Sequence, residues 1–231
     1  MTSSQDTEPR RGTESQTQRS SSVRNVIVLG GGSAGYLAAI ALKIRIPELS
    51  VTIIHSRDIP IIGVGEGTTF TVPIFLHGYL GIDPAAFHRR VKPTYKLGIR
   101  FLWGERERFH YSFTNQLDHR LVDLPKANGF FAYDDFDFAD LTGALMAHDR
   151  AFLRQDDGGP LIDTNVAYHI ENRDFVRFLE ECAEEAGVVV RDDAVEGVEL
   201  GEDGVEKLRL KSGEKATADL FIDASDRKSV V

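Results

Sequence analysis

The hydrophobic pattern from residue 25 onwards predicts a strand, a glycine turn, a helix and a second strand. Residues 25–29 are mostly β-branched and aliphatic, and they lead into Gly-Gly-Gly-Ser-Ala-Gly at 30–35. Residues 36–42 are rich in helix formers, and the β-branched segment 51–54 comes next. Such residues favour strand, helix and strand in turn. The segment therefore predicts a βαβ unit of about 30 residues, the building block of a parallel sheet.

Helical periodicity returns in the last third of the chain. Six apolar residues there have the spacing of one helix face: Phe175, Phe178, Leu179, Cys182, Ala183 and Ala186. Gly187 follows, at a position where glycine often ends a helix. Cys182 belongs to the apolar face, so we expect a buried and unreactive thiol.

Short hydrophobic segments follow that helix. Residues 188–190, 195–200 and 205–210 predict strands, and Gly-Glu-Asp-Gly between the last two is typical of a hairpin turn. Residues 218–224 predict one more buried strand, which places Asp223 at its end. Alternating strands and helices of this kind indicate an α/β fold with a parallel sheet.

Apolar and polar residues alternate between 95 and 101, which predicts one continuous strand. Tyr95, Leu97, Ile99 and Phe101 would share one face, and Lys96, Gly98 and Arg100 the other. From periodicity alone, Lys96 is an ordinary lysine on a polar face.

Composition and charge narrow the class of protein. The chain has 231 residues, 42% of them hydrophobic and 27% charged, as in soluble globular proteins. Its net charge of −9 gives no positive field for phosphate backbones, so we expect no nucleic-acid partner. No apolar stretch approaches the roughly 18 residues of a membrane-spanning helix, so no membrane partner is expected. A single cysteine excludes an internal disulfide framework and favours a reducing, cytoplasmic location.

The first 24 residues predict a disordered tail. Residues 1–22 are mainly Ser, Thr, Gln and charged side chains, which bury too little apolar surface to offset the entropy of ordering. Arg10 and Arg11 form a pair that some export signals contain, but no apolar segment follows them. The sequence therefore shows no export signal.

The glycine turn has the spacing of a dinucleotide site. In Gly30-x-Gly32-x-x-Gly35, the first glycine permits a tight turn, the second lets the backbone approach a pyrophosphate, and the third lets helix and strand pack closely. An acidic residue that would hold the ribose is expected at the end of the second strand. His55 occupies that position and Asp58 follows, so ribose contact by either residue stays open.

Other clusters of polar residues do not predict a metal site. The acidic run at 134–140 lacks the spacing of a calcium loop, and we interpret it as a solvated turn. His110, His119 and His148 lack metal-ligand spacing and are expected to be surface or loop residues. The aromatic residues between Phe109 and Phe138 fit either a substrate pocket or the core.

Four segments together resemble the flavin-dependent halogenases of the tryptophan halogenase family. They are Val-Leu-Gly-Gly-Gly-Ser-Ala-Gly-Tyr-Leu-Ala-Ala at 28–39, Gly-Val-Gly-Glu-Gly-Thr at 63–68, Thr-Tyr-Lys-Leu-Gly-Ile-Arg-Phe at 94–101 and Ala-Asp-Leu-Phe-Ile-Asp-Ala-Ser at 218–225. The resemblance extends over residues 25–225 and implies a doubly wound, Rossmann-like FAD-binding fold across that range.

The resemblance also implies a role for individual residues. The family's essential lysine falls on Lys96. The 63–68 segment would lie against the flavin ring, and Asp223 would lie near the ribityl chain or pyrophosphate. The cofactor-binding residues implied are Gly30, Gly32, Ser33, Ala34, Gly35, His55, Gly65, Glu66, Gly67 and Asp223.

The chemistry implied is halogenation of an electron-rich aromatic ring such as tryptophan, another indole or a phenol. A separate flavin reductase supplies reduced FAD, oxygen converts it to a flavin hydroperoxide, and chloride or bromide attacks this to give hypohalous acid. Lys96 then either donates a hydrogen bond to the acid or becomes a haloamine, and the sequence leaves both open. An ammonium suits the first route and a neutral amine the second.

Several family features are missing between residues 1 and 231. Trp103 is the one tryptophan, so the paired tryptophans of the family's Trp-x-Trp-x-Ile-Pro motif are absent. A substrate-positioning glutamate is expected beyond residue 231, and Asp226 stands where the family usually has glycine. Residues 226–231 also match the translation of a common sequencing adapter, which predicts a non-native extension on a truncated gene. We therefore expect an N-terminal fragment with little or no turnover alone.

Two alternative functions remain on the same fold. One is a flavin-dependent monooxygenase or oxidoreductase in which Lys96 has no catalytic role. The other is a non-catalytic FAD-binding fragment, because an incomplete core leaves sheet edges and apolar faces uncovered.

Overall fold

The structure, a computed structural model, describes residues 22–60, 64–113, 138, 140–161, 166–202 and 204–225. The helices are α1 (Ser33–Arg45), α2 (Thr71–Pro73, continued by a π-helical segment at Ile74–Tyr79), α3 (Pro84–Val91), α4 (Leu141–Ala147) and α5 (Asn172–Glu185). The strands are β1 (Asn25–Leu29), β2 (Ser50–His55), β3 (Gly65–Gly67), β4 (Thr94–Lys96), β5 (Gly98–Phe101), β6 (Phe109–Ser112), β7 (Leu153–Arg154), β8 (Pro160–Leu161), β9 (Ala167–Glu171), β10 (Val189–Asp192), β11 (Val195–Gly201), β12 (Gly204–Leu210), β13 (Lys215–Ala216) and β14 (Leu220–Asp223). The predictions for the tail up to residue 21 and for residues 226–231 lie outside the described residues, as does most of the acidic run at 134–140.

A parallel sheet with the strand order β10-β2-β1-β14 forms the centre of the fold. The inner strand β1 is hydrophobic after Asn25 because both faces of the sheet are covered. Val26 and Val28 face one layer, and Ile27 and Leu29 face the other. The predicted βαβ unit and the predicted final strand are both confirmed.

Helices α1 and α5 cover the first face. Tyr36, Ala39 and Ile40 of α1 are buried there, together with Phe175 and Leu179 of α5. The helix predicted from the last-third periodicity is confirmed, and Gly187 with φ +87° follows its end.

A three-stranded antiparallel sheet, β11-β12-β13, covers the second face. Leu208, Leu210 and Ala216 pack there against Ile27 and Ile54 of the parallel sheet. The predicted hairpin is confirmed, and Gly204 adopts φ +125° at its turn. Together these layers confirm the α/β dinucleotide-binding fold.

A second antiparallel sheet, β3-β9-β4, packs on the same core. Its middle strand β9 contributes Tyr168 and Ile170 to the core that α1, α3 and α5 also line. This sheet therefore has a fixed position relative to the parallel sheet, because both bury side chains in one cluster.

The single strand predicted between 95 and 101 is wrong. The chain breaks at Leu97: β4 pairs with β9, whereas β5 pairs with β6. Leu97 is buried against Leu145 and Val166, and its carbonyl accepts a hydrogen bond from the Phe113 N–H at 2.9 Å. The strand changes its pairing partner at this buried side chain, which the alternation alone did not reveal.

Two histidine–tyrosine pairs tie the second sheet to the helices beside it. His77 Nδ1 donates to the Ile82 carbonyl, and Nε2 accepts from the Tyr168 hydroxyl at 3.1 Å. His88 is held in the same way, with Nε2 3.2 Å from the Tyr95 hydroxyl. Each carbonyl partner requires a proton on Nδ1, which leaves Nε2 as the acceptor.

The buried hydroxyl of Tyr168 makes the stability of the fold sensitive to alkali. Burial raises the pKa of Tyr168 to about 12, above the value near 10 of a free tyrosine. A raised folded-state pKa contributes stability below pH 10 that is lost as the pH rises towards 12.

We predict that Tyr168→Phe lowers the free energy of unfolding at pH 8 by about 1 kcal/mol, because the bond to His77 is lost. The fall in that free energy between pH 10 and pH 12 should be shallower than in the wild type, since phenylalanine cannot ionise. Urea unfolding at several pH values measures both. Tyr79→Phe, at an exposed tyrosine, is the control and should keep the wild-type slope; an unchanged slope in Tyr168→Phe would contradict the prediction.

Candidate functional site

The predicted dinucleotide site lies at the carboxyl ends of three adjacent parallel strands. The glycine turn follows β1, His55 ends β2 and Asp223 ends β14. Leu29 pairs with Asp223 in the sheet, so the glycine turn and Asp223 begin side by side. In open α/β sheets, ligands bind at this edge.

The three glycines of the turn meet different structural surroundings. Gly30 adopts φ +107°, and a Cβ there would lie 2.4 Å from the Ala224 carbonyl oxygen. A Cβ on Gly35 would lie 2.1 Å from the Gly30 carbonyl oxygen. Gly32 differs, because nothing lies within 4 Å of its Cβ position. The first and third glycines therefore serve packing, and the second borders open space.

The N-terminus of α1 is suited to an anion. Gly32 is the N-cap and offers no side-chain acceptor to the helix. The N–H groups of Ser33, Ala34 and Gly35 begin the helix and have no partner in its hydrogen-bond ladder. The first turn holds no acidic side chain, so the positive end of the helix dipole is not neutralised there. The donors and charge match a phosphate group.

His55 lies against the glycine turn. A Cβ on Gly31 would lie 2.5 Å from the His55 ring, so this position also requires glycine. His55 Nε2 is 3.3 Å from the hydroxyl of the buried Tyr36, whose pKa is raised by burial. Asp58 lies further along, 3.4 Å from Lys211 Nζ, in an exposed ion pair. Of the two candidates for ribose contact, His55 is the one placed at the turn.

Asp223 is held by the residues that follow it. Its Oδ1 accepts from the Ser225 N–H at 3.0 Å and from the Ser225 hydroxyl at 2.6 Å. The Ala224 N–H donates to the Leu29 carbonyl, which continues the ladder with β1. These bonds fix the carboxylate at the sheet edge beside the glycine turn.

The second predicted region is brought together by β9. Gly65, Glu66 and Gly67 of β3 pair with one side of β9, and Lys96 of β4 pairs with Ala167 on the other side. Lys96 Nζ donates to the Thr68 carbonyl at 2.9 Å, and it lies 5.5 Å from the centre of the Phe113 ring. The lysine therefore reaches across β9 to the end of the glycine-rich segment, 28 residues away in sequence.

Two hydrogen bonds to the Tyr168 backbone hold Thr68 in place. Its N–H donates to the Tyr168 carbonyl at 2.8 Å, and its hydroxyl accepts from the Tyr168 N–H at 2.9 Å. The carbonyl that receives Lys96 is thus anchored to the middle of the sheet. Lys96 itself is half-buried, which limits the directions its ammonium takes.

Glu66 and Lys96 lie on opposite faces of this sheet. Glu66 pairs with Ile170 and therefore shares its core-facing side of the sheet. Lys96 pairs with Ala167, whose side chain is on the other side. The face of Lys96 also carries Thr94, His169 and Glu171, and it lacks side-chain bulk at Gly65 and Gly67. Such a face suits close approach by a planar ring.

Sequence reasoning missed three contributors to these regions. It did not single out β9 or His169 on it, the requirement for glycine at position 31, or Phe113 beside Lys96. The alternation of apolar and polar residues in Tyr-His-Ile-Glu at 168–171 was a usable signal for β9. The other contacts join residues far apart in the chain and have no local signal.

Several remaining predictions have simple outcomes. Cys182 packs against the core, and burial raises the pKa of its thiol to about 11, as expected of an unreactive thiol. His110 is not a surface residue: it is buried and accepts a hydrogen bond from Arg100 Nε at 2.8 Å. His119 lies outside the described residues. Among the residues that the structure describes, no helix is long and apolar enough to cross a bilayer, and no group of three or more possible ligands is arranged to hold a metal.

Comparison with known proteins supplies the family. The sequence model of the tryptophan halogenase family matches residues 25–231. Tryptophan 7-halogenase RebH from Lentzea aerocolonigenes is 28% identical, over 89% of this chain and 43% of its own length. The chain thus spans less than half the length of the curated relatives it matches.

Solved structures agree with the sequence match. MibH, a lanthipeptide tryptophan 5-halogenase, superposes with a TM-score of 0.74 and 41% identity, over 87% of this chain and 39% of its own. Xcc4156, a flavin-dependent halogenase from Xanthomonas campestris, superposes with a TM-score of 0.69 and 30% identity, over 86% of this chain and 41% of its own. With the glycine turn, the lysine strand and these matches in agreement, the chain belongs to the tryptophan halogenase family.

Proposed function

We propose that the protein carrying this chain halogenates an electron-rich aromatic ring in an FAD-dependent reaction, with Lys96 as the residue that receives the activated halogen. One observation carries the proposal. The Lys96 ammonium is bonded to the Thr68 carbonyl, beside Gly67, and both residues belong to the motif expected at the flavin ring. The bond therefore holds the amine at the segment that the family resemblance assigns to the flavin ring.

The glycine turn holds the ADP part of FAD in this proposal. The N–H groups of Ser33, Ala34 and Gly35 bind the pyrophosphate, and the open space at Gly32 admits it. His55 contacts the ribose in place of the usual carboxylate. Asp223 accepts a hydrogen bond from the sugar or the ribityl chain.

The flavin ring lies against the glycine-rich strand at Gly65 and Gly67, with the Glu66 backbone beside it. When bound and reduced, FAD with oxygen and chloride or bromide supplies hypohalous acid. An ammonium has three N–H donors, so Lys96 bonded to Thr68 still has N–H groups to present to this acid. Its position then sets where the electrophilic halogen is delivered.

Three further points belong to the proposal. Reduced FAD comes from a separate flavin reductase, as the resemblance to flavin-dependent halogenases implies. The reaction takes place in the cytoplasm. The 231-residue chain by itself gives little or no turnover, since it spans under half the length of its relatives.

The substrate is a tryptophan or a related indole. A tryptophan within a peptide is a specific candidate, because MibH acts on a lanthipeptide and shares 41% identity with this chain, compared with 28% for the tryptophan 7-halogenase RebH.

We predict halogenation of tryptophan inside a peptide at a higher kcat/KM than free tryptophan. Assays with FAD, a flavin reductase, NADH and bromide, on the protein at its natural length, would detect the added bromine by mass spectrometry. Equal rates on both substrates would remove the peptide preference. Hydroxylated products without bromine would favour the flavin monooxygenase alternative.

We predict that Lys96→Met lowers the halogenation rate by about 100-fold or more and leaves the affinity for FAD unchanged. Methionine keeps most of the side-chain volume but removes the N–H donors and the amine. Lys92→Met, at an exposed lysine that follows α3, is the control and should retain the wild-type rate. Undiminished halogenation by Lys96→Met would overturn the proposed role.

We predict that Gly32→Asp weakens FAD binding by about tenfold or more, which corresponds to about 1.4 kcal/mol. Aspartate is a favourable N-cap, so the helix stays intact while a negative charge enters the phosphate position. Gly32→Asn is the matched variant: it has nearly the same size and capping ability without the charge, and it should bind FAD more tightly than Gly32→Asp.

Titration of FAD into the 231-residue chain, followed by flavin fluorescence, measures this effect. The difference between the two variants should shrink as salt is added, because screening weakens charge repulsion. If Gly32→Asp and Gly32→Asn bind FAD with the same affinity, no phosphate lies at Gly32.

A further inference from the structure

His169 lies on the same sheet face as Lys96 and close to it. It occupies the middle of β9, directly opposite Gly67 on one side and Thr94 on the other. Lys96 Nζ and His169 Nδ1 each lie 3.3 Å from the same point, the Cβ position of Gly67. The two nitrogens therefore flank one small area of surface that is open because residue 67 has no side chain.

Lys96 is held by contacts that an ammonium makes. Its Nζ donates to the Thr68 carbonyl at 2.9 Å and lies 5.5 Å from the Phe113 ring centre. A carbonyl oxygen and a ring face both attract positive charge. Nitrogen needs a lone pair to attack the halogen of hypohalous acid, so an ammonium in this position must first lose a proton to a nearby base.

We propose that His169 is that base, and that it returns the proton to the oxygen that leaves; this inference rests on the proposed function and takes the haloamine route of the two that the family resemblance leaves open. The His169 imidazole takes a proton from the Lys96 ammonium. The amine then attacks the halogen, an N–halogen bond forms, and the oxygen–halogen bond breaks with its electron pair on hydroxide. His169 donates its proton to that hydroxide, which gives water.

The step balances without a further reactant. The ammonium and hypohalous acid become a protonated haloamine and water, and His169 ends as it began. Histidine is the side chain best suited to accept and donate a proton near neutral pH.

Few titratable groups of the described residues face His169. The titratable group on β4 is Lys96. The one on β9 is Glu171, which lies two residues after His169 on the same face. The Glu171 carboxylate accepts from the Asp174 N–H at 2.9 Å, which directs it towards the start of α5. On β3, Glu66 belongs to the opposite face, and Gly67 and Thr94, the direct neighbours across the strands, do not titrate.

A labelling experiment tests the pair without any turnover. The 231-residue chain is treated with trace acetic anhydride at pH 6 to 9, and acetylation of Lys96 is compared with that of the exposed Lys215 by mass spectrometry. We expect the ratio near neutral pH to fall several-fold in His169→Gln, because glutamine fills similar space but accepts no proton. His148→Gln, at an exposed histidine beyond α4, is the matched control and should keep the wild-type ratio. An unchanged ratio in His169→Gln would overturn the inference.

A second readout separates this inference from the proposed function. On the protein at its natural length, His169→Gln should lower kcat by roughly 100-fold, flatten the pH dependence near neutrality and leave FAD affinity unchanged. If Lys96→Met is inactive while His169→Gln keeps the wild-type rate and pH profile, the proposed function stands and the role of His169 fails. If Lys96→Met halogenates normally, the proposed function itself fails, whatever His169→Gln does.

Discussion

Backbone pairing along β9 is the constraint on which the candidate site depends. The strand is only five residues long, yet it holds the glycine-rich strand β3 on one side and the lysine strand β4 on the other at a fixed register. A shift of one residue would move Lys96 to the opposite face of the sheet. The bonds between Thr68 and Tyr168 close the same arrangement, since they fix the carbonyl that the lysine reaches.

The register of β9 is in turn secured by what its other face buries. Tyr168 and Ile170 enter the core beside Phe87 and Phe175, and the Tyr168 hydroxyl is bonded to His77. Burying alternate residues on one face leaves the intervening ones, Ala167 and His169, on the face of Lys96. One packing requirement therefore both anchors the sheet and leaves His169 exposed on the side of Lys96.

The glycine turn depends on a different physical requirement, close backbone contact. Gly30 and Gly35 bring β1, α1 and the end of β14 within distances that no side chain tolerates, and the result is a helix N-terminus directed at open space beside Gly32. His55, at the end of β2, completes this edge from the adjacent strand. The two regions remain in one relative position because their sheets share a core.

Local pattern by itself determined the βαβ unit, the helix at 172–185, the hairpin and the final strand, because each is specified by periodicity or turn residues within about 15 positions. It also located the glycine turn and, through family resemblance, Lys96. Tertiary structure alone decided the break at Leu97, the burial of His110, the contact of His55 with Gly31 and the placement of Lys96 and His169 around Gly67. These features join residues far apart in sequence. Hydrophobic spacing does not indicate which distant strands will pair, because their pairing depends on burial in the assembled core.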